Sequence, residues 1–192
     1  IVDNTIATPY LIRPFEHGAD IVVHSATKFL GGHGTVIGGL IVDGGTFAWS
    51  QHADRFPEFS TPDPSYHGAV FTEAVGDALA YIVKARVQLL RDLGASNSAD
   101  TAFALLQGIE TLSLRIERHV SNAQEIAEWL DQHPDVATVA YAGLPTSPWY
   151  AAANQYAPKG VGAVLSFELK GGVTAGKAFV DNLQLFSHLA NI

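Results

Sequence analysis

The chain has 192 residues, of which 47% are hydrophobic and 16% are charged, and its formal net charge is −8. This length suits one large domain or two small ones and is sufficient for a buried core. The acidic excess, with no cluster of Lys or Arg, argues against a nucleic-acid-binding protein. No apolar run reaches the roughly 18 to 20 residues of a membrane-spanning helix, so we expect no membrane partner.

Cysteine and methionine are both absent. Without cysteine the chain has no disulfides and no thiolate metal sites, and it shows no signal-peptide pattern, so we expect a cytoplasmic protein. A reading frame begins with Met, whereas this chain begins with Ile1 in what resembles a buried strand. We therefore expect it to be a piece of a longer protein, truncated at both ends.

The first part of the chain has the pattern of an α/β fold. Apolar, β-branched runs predict strands over residues 1–3, 20–24 and 36–42. A short helix is predicted over residues 10–17. Residues 56–71 hold three prolines and several aromatic residues. They predict an ordered loop that either borders a substrate entrance or packs at an interface.

The second part is predicted to be mainly helical before strands return. Apolar residues recur at helical spacing over residues 73–93 and 111–132, and Ser98 is a good cap for a helix that extends to about residue 107. The remaining predicted elements are strands over residues 136–141 and 161–169 and a helix over residues 173–183.

One lysine stands between hydroxyl residues and a cluster of glycines in HSATKFLGGHG, residues 24–34. A lysine forms a Schiff base as the neutral amine, which burial or nearby cations favour. Lys28 follows an apolar strand, and ligands bind at the carboxyl ends of strands in open α/β sheets. The Ser25 and Thr27 hydroxyls and the glycine backbone suit a phosphorylated ligand. A Walker loop would instead have its glycines before the lysine.

Asp3 also follows a predicted strand. If the strands that precede Asp3 and Ser25 are neighbours, both side chains emerge at the same edge of the sheet. A carboxylate there would partner a protonated ring nitrogen, the contact that lets pyridoxal phosphate absorb the electrons of a substrate carbanion. Together, Lys28, Asp3 and the two hydroxyls predict a pyridoxal 5'-phosphate site.

Two motifs, VDNTIATPYL and SATKFLGGHG, resemble those of the Cys/Met metabolism family of pyridoxal phosphate enzymes. The resemblance covers nearly the whole chain, because it continues in GIETLSLRIERHVSNAQEIAEWL, YAGLP, PKGVGAVLSFELKGG and LQLFSHLANI. The loop FPEFSTPDPSYHG is most similar to the O-acetylhomoserine sulfhydrylase branch of that family.

The resemblance implies an α/β fold of the aspartate-aminotransferase-like type found in pyridoxal phosphate transferases. Residues 1–111 would be the C-terminal portion of a large cofactor domain with a mostly parallel sheet. Residues 112–192 would be the N-terminal portion of a smaller α/β domain. Lys28 would hold the cofactor as a Schiff base and Asp3 would bind its ring nitrogen. The Ser25 and Thr27 hydroxyls would contact its phosphate.

The function that the resemblance implies is γ-replacement on O-acetylhomoserine. Acetate leaves, and sulfide or a thiol adds to give homocysteine or methionine. The enzyme would be a homotetramer with active sites shared between subunits. Family members also carry a phosphate loop, a ring-stacking aromatic residue and a Tyr/Arg pair upstream, and a carboxylate-binding arginine downstream. None of these is expected in this chain, so we expect the 192 residues alone to be inactive.

Other functions stay open at this point. Cystathionine γ-synthase, cystathionine γ-lyase and methionine γ-lyase belong to the same family and share the early chemistry. A cofactor-free Schiff-base lyase would use Lys28 without needing Asp3. A truncated piece that acts only in assembly would need neither residue.

Several polar side chains near the motifs are expected to be structural. His24, His33 and His67 show no metal-ligand spacing, so no metal site is predicted, and we expect them to pack or hydrogen bond near the site. Arg115, Arg118 and His119 lie on one predicted helix, where they could reach an anion. We expect them instead to form ion pairs between domains or subunits.

Overall fold

The computed structural model describes residues 1–189, and the strands in this part of the chain fall into two sheets. The strands are β1 (Val2–Asp3), β2 (Ile21–Ser25), β3 (Gly39–Asp43), β4 (Val136–Ala140) and β5 (Ser166–Leu169). The α-helices are α1 (Thr8–Leu11), α2 (Pro57–Ser60), α3 (Phe71–Ala74), α4 (Asp77–Lys84), α5 (Arg91–Leu93), α6 (Ala99–Glu110), α7 (Leu112–Asp131), α8 (Tyr150–Tyr156) and α9 (Gly172–Asp181). A π-helical segment, Ala85–Leu90, joins α4 to α5, and 3-10 helices span Pro14–His17, Trp49–His52 and Pro64–Tyr66.

Strand β2 is the centre of the first sheet. Its β-branched residues favour an extended backbone, and Ile21 and Val22 are buried. β1 pairs with β2 in parallel, with Asp3 opposite Val23, and β3 pairs with β2 in antiparallel fashion. The predicted mostly parallel sheet is thus represented here by one parallel and one antiparallel pairing. The parallel pairing brings the carboxyl ends of β1 and β2 to the same edge.

Helix α7 follows the predicted stripe closely. It spans Leu112–Asp131, against a prediction of 111–132, and its buried residues recur at helical spacing. Its C-terminal half packs on the antiparallel β4–β5 sheet through Ala123 and Ala127, which meet the buried Tyr141. Within residues 1–189, no helix combines the length and apolar character that crossing a membrane requires.

The predicted helix over residues 73–93 is interrupted. α3 ends at Ala74, and α4 begins only after Gly76, whose φ of 74° lies outside the α-helical region. Only glycine adopts this conformation without strain, so the backbone turns there although the apolar spacing continues. The prediction is therefore wrong at its start, whereas the backbone from Asp77 to Leu93 is continuously helical and ends at Gly94 as predicted.

Two other predicted elements are shorter than expected. The strand over residues 161–169 is confined to β5, because Gly162 has a φ of 89° and interrupts the extended backbone. The helix over residues 10–17 is replaced by α1 and a 3-10 helix, since Pro14 has no N–H to continue the α-helical ladder. Gly18 ends this segment, as predicted, with a φ of 82°.

One hydrophobic core lies beneath the turn that carries Lys28. Ala26 and Leu30, on either side of the lysine, pack with Leu105 of α6 and with Leu112 and Ile116 of α7. This core joins residues on both sides of the predicted boundary at residue 111. Domains of residues 1–111 and 112–192 remain a prediction.

A second core gathers aromatic side chains under the proline-rich segment. Trp49, Phe59 and Phe71 are buried there, with the Trp49 and Phe59 ring centroids 4.4 Å apart. Nearby, Lys84 Nζ forms an ion pair with the Asp63 carboxylate at 2.6 Å. The segment over residues 56–71 is therefore ordered, as predicted, by its own aromatic packing and by a buried ion pair.

Candidate active site

Three of the predicted site residues line one cleft. The cleft has a volume of about 960 Å³ and lies at the edge where β1 and β2 end. Asp3, Ser25 and Lys28 all line it, together with residues of the β1–α1 loop. The fourth predicted residue, Thr27, is on the same turn but is not among the lining residues.

The Asp3 carboxylate is held on one side only. Its Oδ1 accepts hydrogen bonds from the Thr5 hydroxyl at 2.6 Å and from the Thr5 backbone N–H at 3.0 Å. These bonds, the hydroxyl first, hold the pKa of the Asp3 carboxyl below its ordinary value, because they stabilise the charged form. Within residues 1–189 Oδ2 makes no hydrogen bond, so an ionised oxygen is available to a ligand in the cleft.

The loop after β1 is fixed by bonds to its own backbone. The Asn4 side-chain amide donates to the carbonyl of Ile12 at 2.9 Å, and the backbone N–H of Thr8 donates to the Asn4 carbonyl at 2.9 Å. Thr8 is fully buried and has a φ of 59°, an unusual value for a β-branched residue. Such backbone strain persists where surrounding contacts over-determine the conformation, and here it accompanies the loop that carries Asp3.

Lys28 occupies a tight turn after β2. Its backbone N–H donates to the Ser25 carbonyl at 3.2 Å, and its carbonyl accepts from the Gly32 N–H at 2.8 Å. The side chain is half-buried and, within the described part of the chain, makes no hydrogen bond or ion pair. The backbone of Lys28 is thus fixed while its amine is left for a ligand.

Arg115 secures this turn from α7. Its guanidinium donates to the carbonyl of Phe29 at 2.9 Å and to the carbonyl of Gly108 at 2.6 Å, and its Nε donates to the Thr111 hydroxyl at 3.1 Å. The expected ion pair is not found in residues 1–189, since Arg115 meets backbone carbonyls there. Spacing alone does not reveal such contacts, because they depend on how α6 and α7 pack against the turn.

Thr27 has a different environment from Ser25. Its hydroxyl accepts from the Gly38 N–H at 3.0 Å and lies 3.3 Å from the Gly38 carbonyl, to which it donates. It therefore ties the turn to the start of β3. Its contact with a phosphate remains a prediction.

None of the three predicted histidines lines the cleft, and His33 and His67 are exposed. His24 is buried in β2, and burial lowers the pKa of its imidazole, which favours the neutral form. His33 Nδ1 lies 2.7 Å from the Gly31 carbonyl. Among residues 1–189 no group of three or more His, Cys, Asp or Glu side chains is arranged to hold a metal ion.

The donor set of the cleft suits one kind of organic ligand. An amine can capture an aldehyde, an ionised carboxylate can hold a protonated ring nitrogen, and a hydroxyl can bind phosphate oxygens. Lys28, Asp3 and Ser25, which provide these three groups, line the same cleft. The residues present therefore fit pyridoxal phosphate.

Sequence comparisons agree with this chemistry. An "O-acetyl-L-homoserine sulfhydrylase" of Leptospira meyeri is 54% identical over 200 residues, covering 100% of this chain and 45% of that protein. A "Homocysteine synthase" of Schizosaccharomyces pombe is 53% identical over 193 residues, with 100% and 45% coverage. The chain thus spans about half the length of the curated relatives it matches.

A solved structure has the same fold. It is a crystal structure from Campylobacter jejuni, assigned as an O-acetylhomoserine (thiol)-lyase and containing N'-pyridoxyl-lysine-5'-monophosphate. The TM-score is 0.89 at 38% identity, over 99% of this chain and 46% of that one. The α/β pyridoxal phosphate transferase fold expected from the motifs is therefore confirmed.

The family model for the Cys/Met metabolism PLP-dependent enzymes matches residues 1–192, the entire sequence. This match agrees with the resemblance carried by the Asp3 and Lys28 motifs. The chain belongs to the Cys/Met metabolism family of pyridoxal phosphate-dependent enzymes.

Proposed function

We propose that the intact protein catalyses γ-replacement on O-acetylhomoserine with sulfide or a thiol, giving homocysteine or methionine and acetate. The observation that carries the proposal is the convergence of Asp3, Ser25 and Lys28 on one cleft. The choice of substrate is supported by the names of relatives that are about half identical to this chain.

Each residue has a distinct role in holding the cofactor. Lys28 Nζ would bind the aldehyde carbon of pyridoxal phosphate, and Asp3 Oδ2 would face its ring nitrogen. Ser25 would bind the phosphate with its hydroxyl, and Thr27 is proposed to assist it. When bound, pyridoxal phosphate supplies an electron sink that makes the substrate Cα acidic.

The remaining chemistry is proton transfer by Lys28. Once freed from the cofactor, the neutral Nζ would transfer the proton of substrate Cα to the cofactor and, neutral again, would take a proton from Cβ. The C–O bond at Cγ breaks, acetate leaves with the electron pair, and the sulfur nucleophile forms a bond to Cγ. Lys28 then returns protons to Cβ and Cα. The Thr5 hydrogen bonds, which lower the pKa of Asp3, favour the ionised form that would hold the ring nitrogen.

We also propose that the enzyme is a cytoplasmic homotetramer whose active sites are shared between subunits. The support for this assembly is the family resemblance of the motifs. It is tested by measuring the mass of the intact protein in solution by light scattering.

The activity is tested by product analysis with O-acetylhomoserine, with and without sulfide. The intact protein should form homocysteine and acetate only when sulfide is present. Lys28→Ala should abolish this reaction, whereas Lys177→Ala, which removes an exposed lysine of α9, should leave it unchanged.

Other outcomes would overturn the proposal. Release of a 2-oxo acid and ammonia without sulfide would identify a γ-lyase. Product formation only with cysteine would identify a cystathionine γ-synthase. Failure of the intact, cofactor-supplemented protein to consume any γ-substituted amino acid would favour a role in assembly alone.

A further inference from the structure

We propose that Thr5 is a positioning residue, whose hydroxyl links the backbone of Ser25 to one oxygen of Asp3 and so orients the carboxylate toward the cofactor ring. The inference rests on the proposed function, since it concerns the ring nitrogen of pyridoxal phosphate. It assigns a task to a side chain that the sequence motifs did not single out.

The direction of the hydrogen bonds is fixed by chemistry. The backbone N–H of Ser25 lies 2.8 Å from Thr5 Oγ1 and can only donate, so Oγ1 is the acceptor in that bond. The hydroxyl proton of Thr5 is then free to point at Asp3 Oδ1, 2.6 Å away. The chain of bonds therefore runs from the Ser25 amide through the Thr5 hydroxyl to the carboxylate.

This link joins the ends of two neighbouring strands. Asp3 ends β1 and Ser25 ends β2, and the two strands share parallel pairing. Thr5 is buried at 9% exposure, so its hydroxyl is held in a fixed position with both of its partners satisfied. Within this strand pairing, one side chain thereby connects the ring-nitrogen ligand to the backbone of the phosphate ligand.

Asp3 depends on Thr5 for its orientation. The Asp3 residue itself is exposed and has little packing to hold it. In residues 1–189 every hydrogen bond that its carboxylate accepts comes from Thr5. With Oδ1 occupied twice, Oδ2 is the oxygen presented to the cleft. Loss of the hydroxyl would allow the carboxylate to rotate and would remove a charge-assisted bond.

The test uses the intact protein with pyridoxal phosphate. Thr5→Val removes the hydroxyl at nearly constant shape, and Thr5→Ser keeps it. Thr46→Val is the matched control, because the Thr46 hydroxyl also donates to a carboxylate, that of Asp20 at 3.3 Å, but on the exposed surface. The readouts are the dissociation constant of pyridoxal phosphate and the pH titration of its visible absorbance.

Thr5→Val should weaken pyridoxal phosphate binding by about tenfold or more, the effect of losing one hydrogen bond to a charged group. It should also displace the pH transition of the absorbance, because a less well-held carboxylate stabilises the protonated ring less. Other titratable groups near Asp3 are His24 in β2, and Lys28 and His17 on the cleft wall. They are unchanged in all variants.

Thr5→Ser and Thr46→Val should both remain within about twofold of the wild type. If Thr5→Val does not fold, Thr5→Ala is measured in its place. A hydroxyl-free variant with wild-type affinity and an unchanged pH transition would overturn the role of Thr5. A wild-type protein that binds no pyridoxal phosphate would instead overturn the proposed function.

Discussion

Replacing Gly108 by alanine should destabilise the protein and disturb the Lys28 turn, although the same change elsewhere in a helix is stabilising. Gly108 is buried in α6, where the helix passes against the turn. A methyl group there would lie 2.5 Å from the carbonyl oxygen of Leu30 and would also press on the Gly31 carbonyl. These are backbone atoms, so no side chain can rotate away to make room.

Two opposing effects determine how far Gly108→Ala changes the free energy of unfolding. Alanine favours a helix over glycine by about 1 kcal/mol. To reach the 3.4 Å of ordinary contact, the Leu30 oxygen would have to retreat by about 0.9 Å. Overpacking of this kind costs about 1 to 3 kcal/mol and occasionally more. Because Arg115 also holds the turn in place, we expect an overpacking cost near the upper end of this range. After the gain in helix propensity, the free energy of unfolding should fall by about 1 to 2 kcal/mol.

The matched control is Gly176→Ala in α9, where no atom of residues 1–189 other than the adjoining residues and the backbone of the same helix lies within 4 Å of the added methyl group. This variant should gain about 0.5 to 1 kcal/mol. Both variants are measured by urea unfolding of the intact protein, with the midpoint compared at constant slope. A Gly108→Ala variant as stable as the wild type would contradict the expected clash with the Lys28 turn, and so would a shift of the midpoint in the same direction by both variants.

Three further changes test other contacts. Arg115→Met should lower the free energy of unfolding by about 2 to 4 kcal/mol, because it leaves carbonyls of the Lys28 turn and α6 unpaired. This loss is measured by urea unfolding. Asp63 has its pKa lowered to about 2 by its bonds to Lys84 and Ser65, against an ordinary 3.8. Because its pKa is lower in the folded state, the ionised Asp63 carboxylate stabilises the protein at a pH above its ordinary pKa. This contribution should disappear as the pH falls from about 4 to about 2. Asp63→Asn should remove that pH dependence. Trp49→Ala should cost about 3 to 5 kcal/mol by leaving a cavity in the aromatic core, measured by thermal unfolding.

Each of these expectations has a contradicting result. Arg115→Met with an unchanged urea midpoint would mean that the turn does not depend on the guanidinium. An Asp63→Asn variant with the same acid sensitivity as the wild type would assign that sensitivity to other carboxyl groups. A small loss of stability for Trp49→Ala, near that of an exposed aromatic residue such as Trp149, would mean that the aromatic core contributes little.

The elements that sequence predicts well are those in which local signals agree. In α7 the apolar stripe, the helix-forming residues between its members and Pro134 beyond its end all favour the same bounds. α6 begins where Ser98 accepts a hydrogen bond from the Thr101 N–H, as its capping role predicts. Such elements need no knowledge of their neighbours.

The elements that sequence predicts poorly depend on a single backbone conformation. Gly76 occurs within a run of helical spacing, and nothing in that spacing shows that its φ is positive. Gly162 shortens β5 in the same way. Apolar spacing indicates which residues face the core. It continues across such a break because the residues before and after the break face the same core.

In the candidate site, too, some features can be predicted from the sequence and others cannot. The placement of Asp3, Ser25 and Lys28 at one edge of the sheet can be predicted, since Asp3 and Ser25 end neighbouring parallel strands and Lys28 follows the second. The contacts of Thr5 and Arg115 cannot, because they require the rotamers and distances of residues far apart in sequence. A polar residue two positions after a predicted ligand is a weak signal that would have pointed to Thr5.

Borohydride reduction of the intact, cofactor-supplemented protein, followed by peptide mapping across residues 24–34, would show whether Lys28 carries the cofactor. We expect a pyridoxyl phosphate adduct on Lys28, with the lysines outside this segment unmodified. A folded protein that carries the adduct on another lysine, or on none, would contradict the assignment of Lys28 and with it the proposed active site.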